Sequence, residues 1–266
     1  MPSVLMAELQ AFESPVKEPW PDDVEMYVTH EVEQILLPES SSCLAVQAFF
    51  RMCGLRYKLQ MRINAESMSP SGKIPFIRCG KAVVSELDPI VSFVAHRGIS
   101  LTTELSDVEK SDMRAYMSLV YNVLGNAEQH LMWCDRVTFL EVTYPRFTSA
   151  FPRPLGGILC YLRQRKMRKK LRVIDWESKD LEKVYSEIDN CCRVLSERLG
   201  SQKYFFGNKP TELDALVFGH LFSLLTTHLP DSRLSAVVHT YDNLVELCST
   251  VENEFFQRIE GSVSLK

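Results

Sequence analysis

Residues 204–220 read YFFGNKPTELDALVFGH, and the reading of this stretch decides the fold. Three aromatics, Tyr204 to Phe206, run into a turn signal at Gly207-Asn208-Lys209-Pro210. Thr211 follows at an N-cap position with Asp214 three residues on, the spacing of a capping box. In such a box the threonine oxygen accepts from the third helical N–H, and the carboxylate reaches back to the threonine N–H. Losing a cap of this kind costs about 1 kcal/mol. The helix it opens is apolar almost all round, carrying Leu213, Ala215, Leu216, Val217, Phe218, Leu221, Phe222, Leu224 and Leu225. A helix without a polar face is a buried one. The stretch therefore predicts the central pillar of a helical domain, with Thr211 and Asp214 in structural roles.

Outward from the pillar, the second half of the chain reads as helices at roughly 107–135, 154–173, 178–199, 211–229 and 240–259, with Gly200 a fitting stop for the third. The first half reads differently. Residues 1–22 are an extension stiffened by Pro15, Pro19 and Pro21. A strand is expected over Val24 to Thr29. Beyond a loop through Pro38 and Glu39, any of Ser40, Ser41 and Ser42 can cap a helix that stops at Gly54. From Arg56 to Ile63, Tyr57, Leu59 and Met61 alternate with polar residues as in a strand. A Ser-Pro-Ser-Gly loop leads to Ile74-Pro75, and Pro75 opens a short strand where its missing N–H is tolerated. Ile74-Pro75 is a candidate cis bond. A turn at Cys79-Gly80 returns the chain as Lys81 to Val84, and Ser85 or Glu86 starts a helix through Phe93. The chain thus divides into an α/β domain over 23–98, a linker over 99–106 and an all-helical domain over 107–266, an α+β architecture.

The composition, 45% hydrophobic and 24% charged over 266 residues, is that of a globular protein. Net charge is −4 with a pI near 5.9, which argues against nucleic acid as a partner. Eight cysteines are scattered through core-like stretches with no CxxC and no nearby histidine at ligand spacing. They read as reduced thiols, with neither a disulfide framework nor a zinc site. No stretch approaches the eighteen or so apolar residues of a membrane span. The first fifty residues hold nine acids, Lys17 and no arginine, unlike a mitochondrial presequence. The expectation is a protein on the cytosolic side of any membrane it touches.

The element order, with Ile-Pro before the third strand and a capped buried helix late in a helical domain, resembles the glutathione-transferase fold. Longer words narrow the resemblance: EPWP at 18–21, EQILLPESSSCLAVQAF at 33–49, NAESMSPSGKIPFI at 64–77, VVSELDPIV at 83–91 and QKYFFGNKPTELDALVFGHL at 202–221. These resemble the metaxin family, and most of all its second paralogue, over nearly the full chain. The resemblance implies a thioredoxin-like domain followed by the helical one. It also implies a non-enzymatic subunit of the sorting and assembly machinery of the mitochondrial outer membrane, which inserts β-barrel precursors. The partners it implies are another metaxin bearing a membrane anchor and the β-barrel assembly subunit. The chain itself is expected to be peripheral on the cytosolic face, since it ends VENEFFQRIEGSVSLK without an anchor. A role as an adaptor between mitochondria and microtubule motors is a further alternative that the family brings.

A glutathione-dependent transferase or thiol enzyme is the competing reading. Such an enzyme needs a hydroxyl or a reactive cysteine near the first helix, and Ser40 to Ser42 with Cys43 lie at that place. Serines before a helix are chiefly caps, however, and Cys43 sits among apolar residues. Transferases resembling this chain carry Glu-Ser or Gln-Ser after the fourth strand to grip the glutamyl carboxylate. With Ile90 in register, Glu86 fills the acidic slot, but Leu87 stands where the serine belongs. No HExxH, GxGxxG or P-loop pattern occurs. His220, inside the buried helix, reads as a hydrogen-bonded core residue, and Trp133-Cys134 reads as packing. The expectation is no catalytic residue, no cofactor and no metal.

One surface feature stands apart. Residues 163–172 read RQRKMRKKLR, with Arg163, Arg165, Lys166, Arg168, Lys169, Lys170 and Arg172 around only two apolar residues, Met167 and Leu171. At about 100° per residue the charges project in nearly every direction. The segment is expected to stand off the core, either solvated or against an anionic membrane or partner surface.

Overall fold

The computed structural model describes residues 19–30 and 34–257. Most of the expected N-terminal extension and the last nine residues lie outside the described residues. The α/β half runs β1 (Glu25–Val28), α1 (Leu37–Met52), β2 (Lys58–Met61), α2 (Ala65–Met68), β3 (Phe76–Cys79), β4 (Ala82–Ser85) and α3 (Leu87–His96). The sheet order is β2-β1-β3-β4. β1 lies parallel to β2 and antiparallel to β3, and β3 pairs antiparallel with β4. Tyr27 and Phe76, register partners on adjacent strands, stack with centroids 4.7 Å apart. The Ile74-Pro75 bond is cis, and the Pro75 carbonyl accepts the Glu86 N–H at 3.2 Å.

α1 starts earlier than its serines suggest. Its N-cap is Leu36, so Pro38 and Glu39 form the first turn and not a loop. Proline is tolerated there because its N–H would be an orphan anyway. The Glu39 carboxylate accepts the Leu36 N–H at 3.2 Å and does the work of a capping side chain. Ser41 and Ser42 are already helical and donate back to the Leu37 and Pro38 carbonyls at 3.0 and 2.9 Å.

In the helical half, α4 (Asp107–Val120) continues through a π-helical stretch, Tyr121–Gly125, into α5 (Asn126–Trp133). Beyond it come α6 (Arg136–Thr138), a second π-helical stretch, Phe139–Thr143, and α7 (Tyr144–Ser149), none of which the sequence pattern predicts. Val137, Thr138, Val142 and Thr143 are β-branched and disfavour a helix. The rings of Phe139 and Phe147, both packed on buried Trp133, hold the segment in place.

α8 (Leu155–Val173) follows, then α9 (Leu181–Leu199), whose N-cap Asp180 accepts the Lys183 N–H at 2.9 Å. α9 ends at Gly200, whose φ of +56° suits glycine. The chain closes with α10 (Glu212–Thr226), an unforeseen short helix α11 (Arg233–His239), and α12 (Asp242–Val251), which runs on as a π-helical stretch to Phe256.

α10 is buried almost all round, as its composition requires. Its main partner is α1 of the α/β half, so the pillar of the helical half is also the joint between the halves. The two helices come close at Gly219, where an added Cβ would stand 2.4 Å from the Ser41 carbonyl oxygen. Asp214 closes the predicted box and more: its carboxylate accepts the N–H and hydroxyl of Thr211, both at 2.7 Å, and the Phe205 N–H at 2.9 Å.

Candidate functional site

Where the halves meet, a cleft of about 540 Å³ opens between α1, the loop before β3, the β4–α3 junction, α5, α8 and α10. Lys73 and Glu86 form an ion pair at its rim. Glu86, directly after β4 and at the N-cap of α3, has φ +70°, a left-handed conformation rare outside glycine, and its N–H bond to Pro75 helps to hold it there. Beside it the Tyr121 hydroxyl donates to Asp88 at 3.0 Å. Burial raises the Asp88 carboxyl, and burial together with the Asp88 charge raises the Tyr121 phenol. Lys170 reaches the cleft from α8, where burial and then the charge of Lys73 lower its pKa.

At the cleft floor lies a polar cluster that includes Glu128 and His220. Glu128 of α5, 0% exposed, accepts the Ser41 hydroxyl at 2.8 Å and is 2.7 Å from His220 Nδ1. Three helices from both halves are tied by one carboxylate. His220 is thus a hydrogen-bonded core residue, as its place in the buried helix predicts. Glu128 had no local signal in the sequence, because nothing in NAEQHLMW marks one acid as buried.

The positions expected to serve a thiolate are otherwise engaged. Cys43 is 1% exposed and belongs to the core. The Ser42 hydroxyl, on the cleft wall, donates to Pro38, and Ser40 receives the Ser223 hydroxyl at 3.3 Å. Leu87 lies on the cleft wall where a gripping hydroxyl would be needed, while the Ser85 hydroxyl turns to Ser71 at 2.9 Å. None of the eight cysteines is in a disulfide. Burial pushes the thiols of Cys53, Cys191 and Cys248 up to about 12, and those of Cys134 and Cys160 to about 11. Thiols so raised stay protonated at neutral pH.

The basic segment does not stand off the core. Gly156, Cys160, Met167 and Leu171 form a buried stripe along α8. The charges beside that stripe are neutralised from elsewhere in the chain. Arg163 pairs with Glu66 at 2.7 Å. Glu66 in turn helps burial to raise the neighbouring Glu39 carboxyl. Arg168 and Arg172 both bond Glu177, at 2.9 and 2.5 Å, and hold its carboxyl below the usual range. Arg165, Lys166 and Lys169 are exposed and have no ion-pair partner among the described residues. The seven predicted cations therefore sort into three in internal pairs, one at the cleft and three facing outward. Among the described residues no three His, Cys, Asp or Glu side chains gather as a metal site, and no helix is long and apolar enough to cross a membrane.

Family models for the glutathione S-transferase N-terminal domain and C-terminal domain match residues 41–138 and 188–251. The fold is similar to that of glutathione transferase F7 from Populus trichocarpa, with a TM-score of 0.56 at 13% identity, covering 91% of this chain and 100% of that one. In sequence the chain is 34% identical to Metaxin-1 from Mus musculus, covering 84% of this chain and 72% of that protein. It is 48% identical to Metaxin-2 from Homo sapiens over 261 residues, 98% of this chain and 99% of that protein. With its transferase fold and a likeness of this extent, the chain belongs to the metaxin family.

Proposed function

We propose that this chain is a non-enzymatic docking subunit of the sorting and assembly machinery of the mitochondrial outer membrane. In this reading it sits peripherally on the cytosolic face, held there by a second, membrane-anchored metaxin. It supports the import and insertion of β-barrel precursors beside the β-barrel assembly subunit. The observation that carries the reading is the state of the cleft: Ser42 is spent inside its own helix and Cys43 is sealed in the core. A transferase-shaped groove whose first-helix serine and cysteine are both engaged within the fold is suited to binding surfaces. Metaxin kinship over nearly the whole chain supports the same reading.

The test is a pull-down of the tagged full chain from gently solubilised mitochondria. Recovery of a second metaxin together with the β-barrel assembly subunit is expected, and recovery of the chain alone would sink the proposal. The glutathione-enzyme alternative draws on Glu86, which fills the acidic slot at the cleft edge. Glutathione at 100 times its Kd would add about 2.7 kcal/mol to stability. We expect no shift in Tm at millimolar glutathione; a clear upward shift would return the enzymatic reading.

A further inference from the structure

α8 presents to solvent the face opposite its buried stripe. At about 100° per residue, Leu155, Ile158, Leu162, Arg165, Lys166 and Lys169 fall within roughly a third of the helix circumference. Ile158 and Leu162 are 55% and 56% exposed, and Tyr161 beside them is 59% exposed. The two apolar turns come first and the three unpaired cations follow. Next to the apolar end, Tyr144 of α7 and Ile158 line one shallow groove, and Leu140 is exposed on the segment leading into α7. The apolar surface thus spans two adjacent elements.

We infer that this face of α8 is a contact for an anionic lipid surface, with α8 lying in the plane of the interface. The opposite stripe anchors the helix to the fold, so only this side can turn toward a membrane. Its chemistry is that of an interfacial helix: aliphatic side chains to enter the headgroup boundary, tyrosines beside them, and cations to meet lipid phosphate. A protein partner fits less well, because the centres of protein interfaces are poor in lysine, while lysines make up two of the three cations here. The other four basic residues of the segment are already committed, Arg163, Arg168 and Arg172 to internal pairs and Lys170 to the cleft. The attraction therefore rests on Arg165, Lys166 and Lys169.

The purified full-length chain is to be floated with phosphatidylcholine vesicles, with and without phosphatidylserine. Binding is expected to the serine-lipid vesicles only, and to fall as salt rises. Arg165→Gln/Lys166→Gln/Lys169→Gln should weaken it by about a hundredfold, the order expected for three cations near an anionic surface. All three positions are exposed, and an unchanged thermal transition confirms the fold. Lys166→Gln/Lys169→Gln is the second variant if the triple one melts early. Ile158→Trp reports on the apolar turns, with Trp20, Trp133 and Trp176 as background. Its fluorescence should shift to the blue when anionic vesicles are added. Absence of vesicle binding, binding that both charge variants leave unchanged, or an unshifted Trp signal on bound protein would each overturn the inference. Capture of an acidic protein without vesicle binding would do so too. No second metaxin is present in this assay, so its failure and that of the pull-down are separable.

Discussion

Gly219→Ala is expected to destabilise the protein by about 2–4 kcal/mol, although alanine is the better helix former by about 1 kcal/mol. The added Cβ would stand 2.4 Å from the Ser41 carbonyl oxygen, 2.6 Å from the Ala45 nitrogen and 2.8 Å from the Ala45 Cβ. Two of these are backbone atoms and the third cannot rotate away, so α1 and α10 must separate. Separation also strains the bonds from Ser41 and His220 to Glu128. Gly125→Ala is the control: its Cβ would meet only the His220 ring at 3.9 Å, an ordinary contact. Urea midpoints at unchanged m-value measure the difference. A Gly219→Ala protein as stable as the parent would mean that the helices do not cross this closely.

Asp214→Ala is expected to cost about 3–5 kcal/mol, well beyond the roughly 1 kcal/mol of an exposed cap. Asp214 is 0% exposed, and its removal strands three donors, the N–H groups of Phe205 and Thr211 and the Thr211 hydroxyl. Each buried donor left without an acceptor costs about 1–3 kcal/mol. Asp214→Asn, which keeps one acceptor oxygen, should fall between the alanine variant and the parent.

The pH dependence has a definite sign. Burial raises the Asp214 carboxyl from 3.8 to about 6, against the pull of its donors. The folded state then holds more protons than the unfolded state between these values. Its contribution to stability is greatest below the unfolded pKa, declines as pH rises through the window, and is constant above it. Urea unfolding of the parent and of Asp214→Asn, at several pH values across the window, isolates this contribution. A parent that gains stability relative to the Asn variant as pH rises would contradict the raised carboxyl.

Much of the fold was legible from short patterns. The run from Leu213 to Leu225, apolar on almost every side, reads as a buried helix, and it is one. Ile74-Pro75 and the Cys79-Gly80 turn located β3 and β4, and alternation located β2. Gly219 did carry a signal, since a glycine in a helix interior needs a reason, but the helix it approaches lies far away in sequence.

Elsewhere the local signals competed. Three serines outweighed Pro38 and Glu39 as a helix start, although Glu39 reaching back to Leu36 is what closes the first turn. The segment 136–149 reads against a helix residue by residue and is helical because its rings pack on Trp133. α8 looked too charged to meet a core because the acids that neutralise it, Glu66 and Glu177, lie outside the basic run.

The sequence by itself determined the fold class, the pillar and its cap, the absence of a familiar catalytic motif, and the presence of a basic segment. These depend on helix and strand periods and on contacts within a few residues, which any short window contains. Only the tertiary structure decided which cations face outward, that Cys43 is buried in the core, and that Glu128 ties α1 to α10. Those outcomes depend on partners such as Ser41 and Glu128, 87 residues apart, or Arg163 and Glu66, 97 apart. Such pairs meet only when separate elements have been packed together, and no local pattern records which side chains the packing will bring into contact.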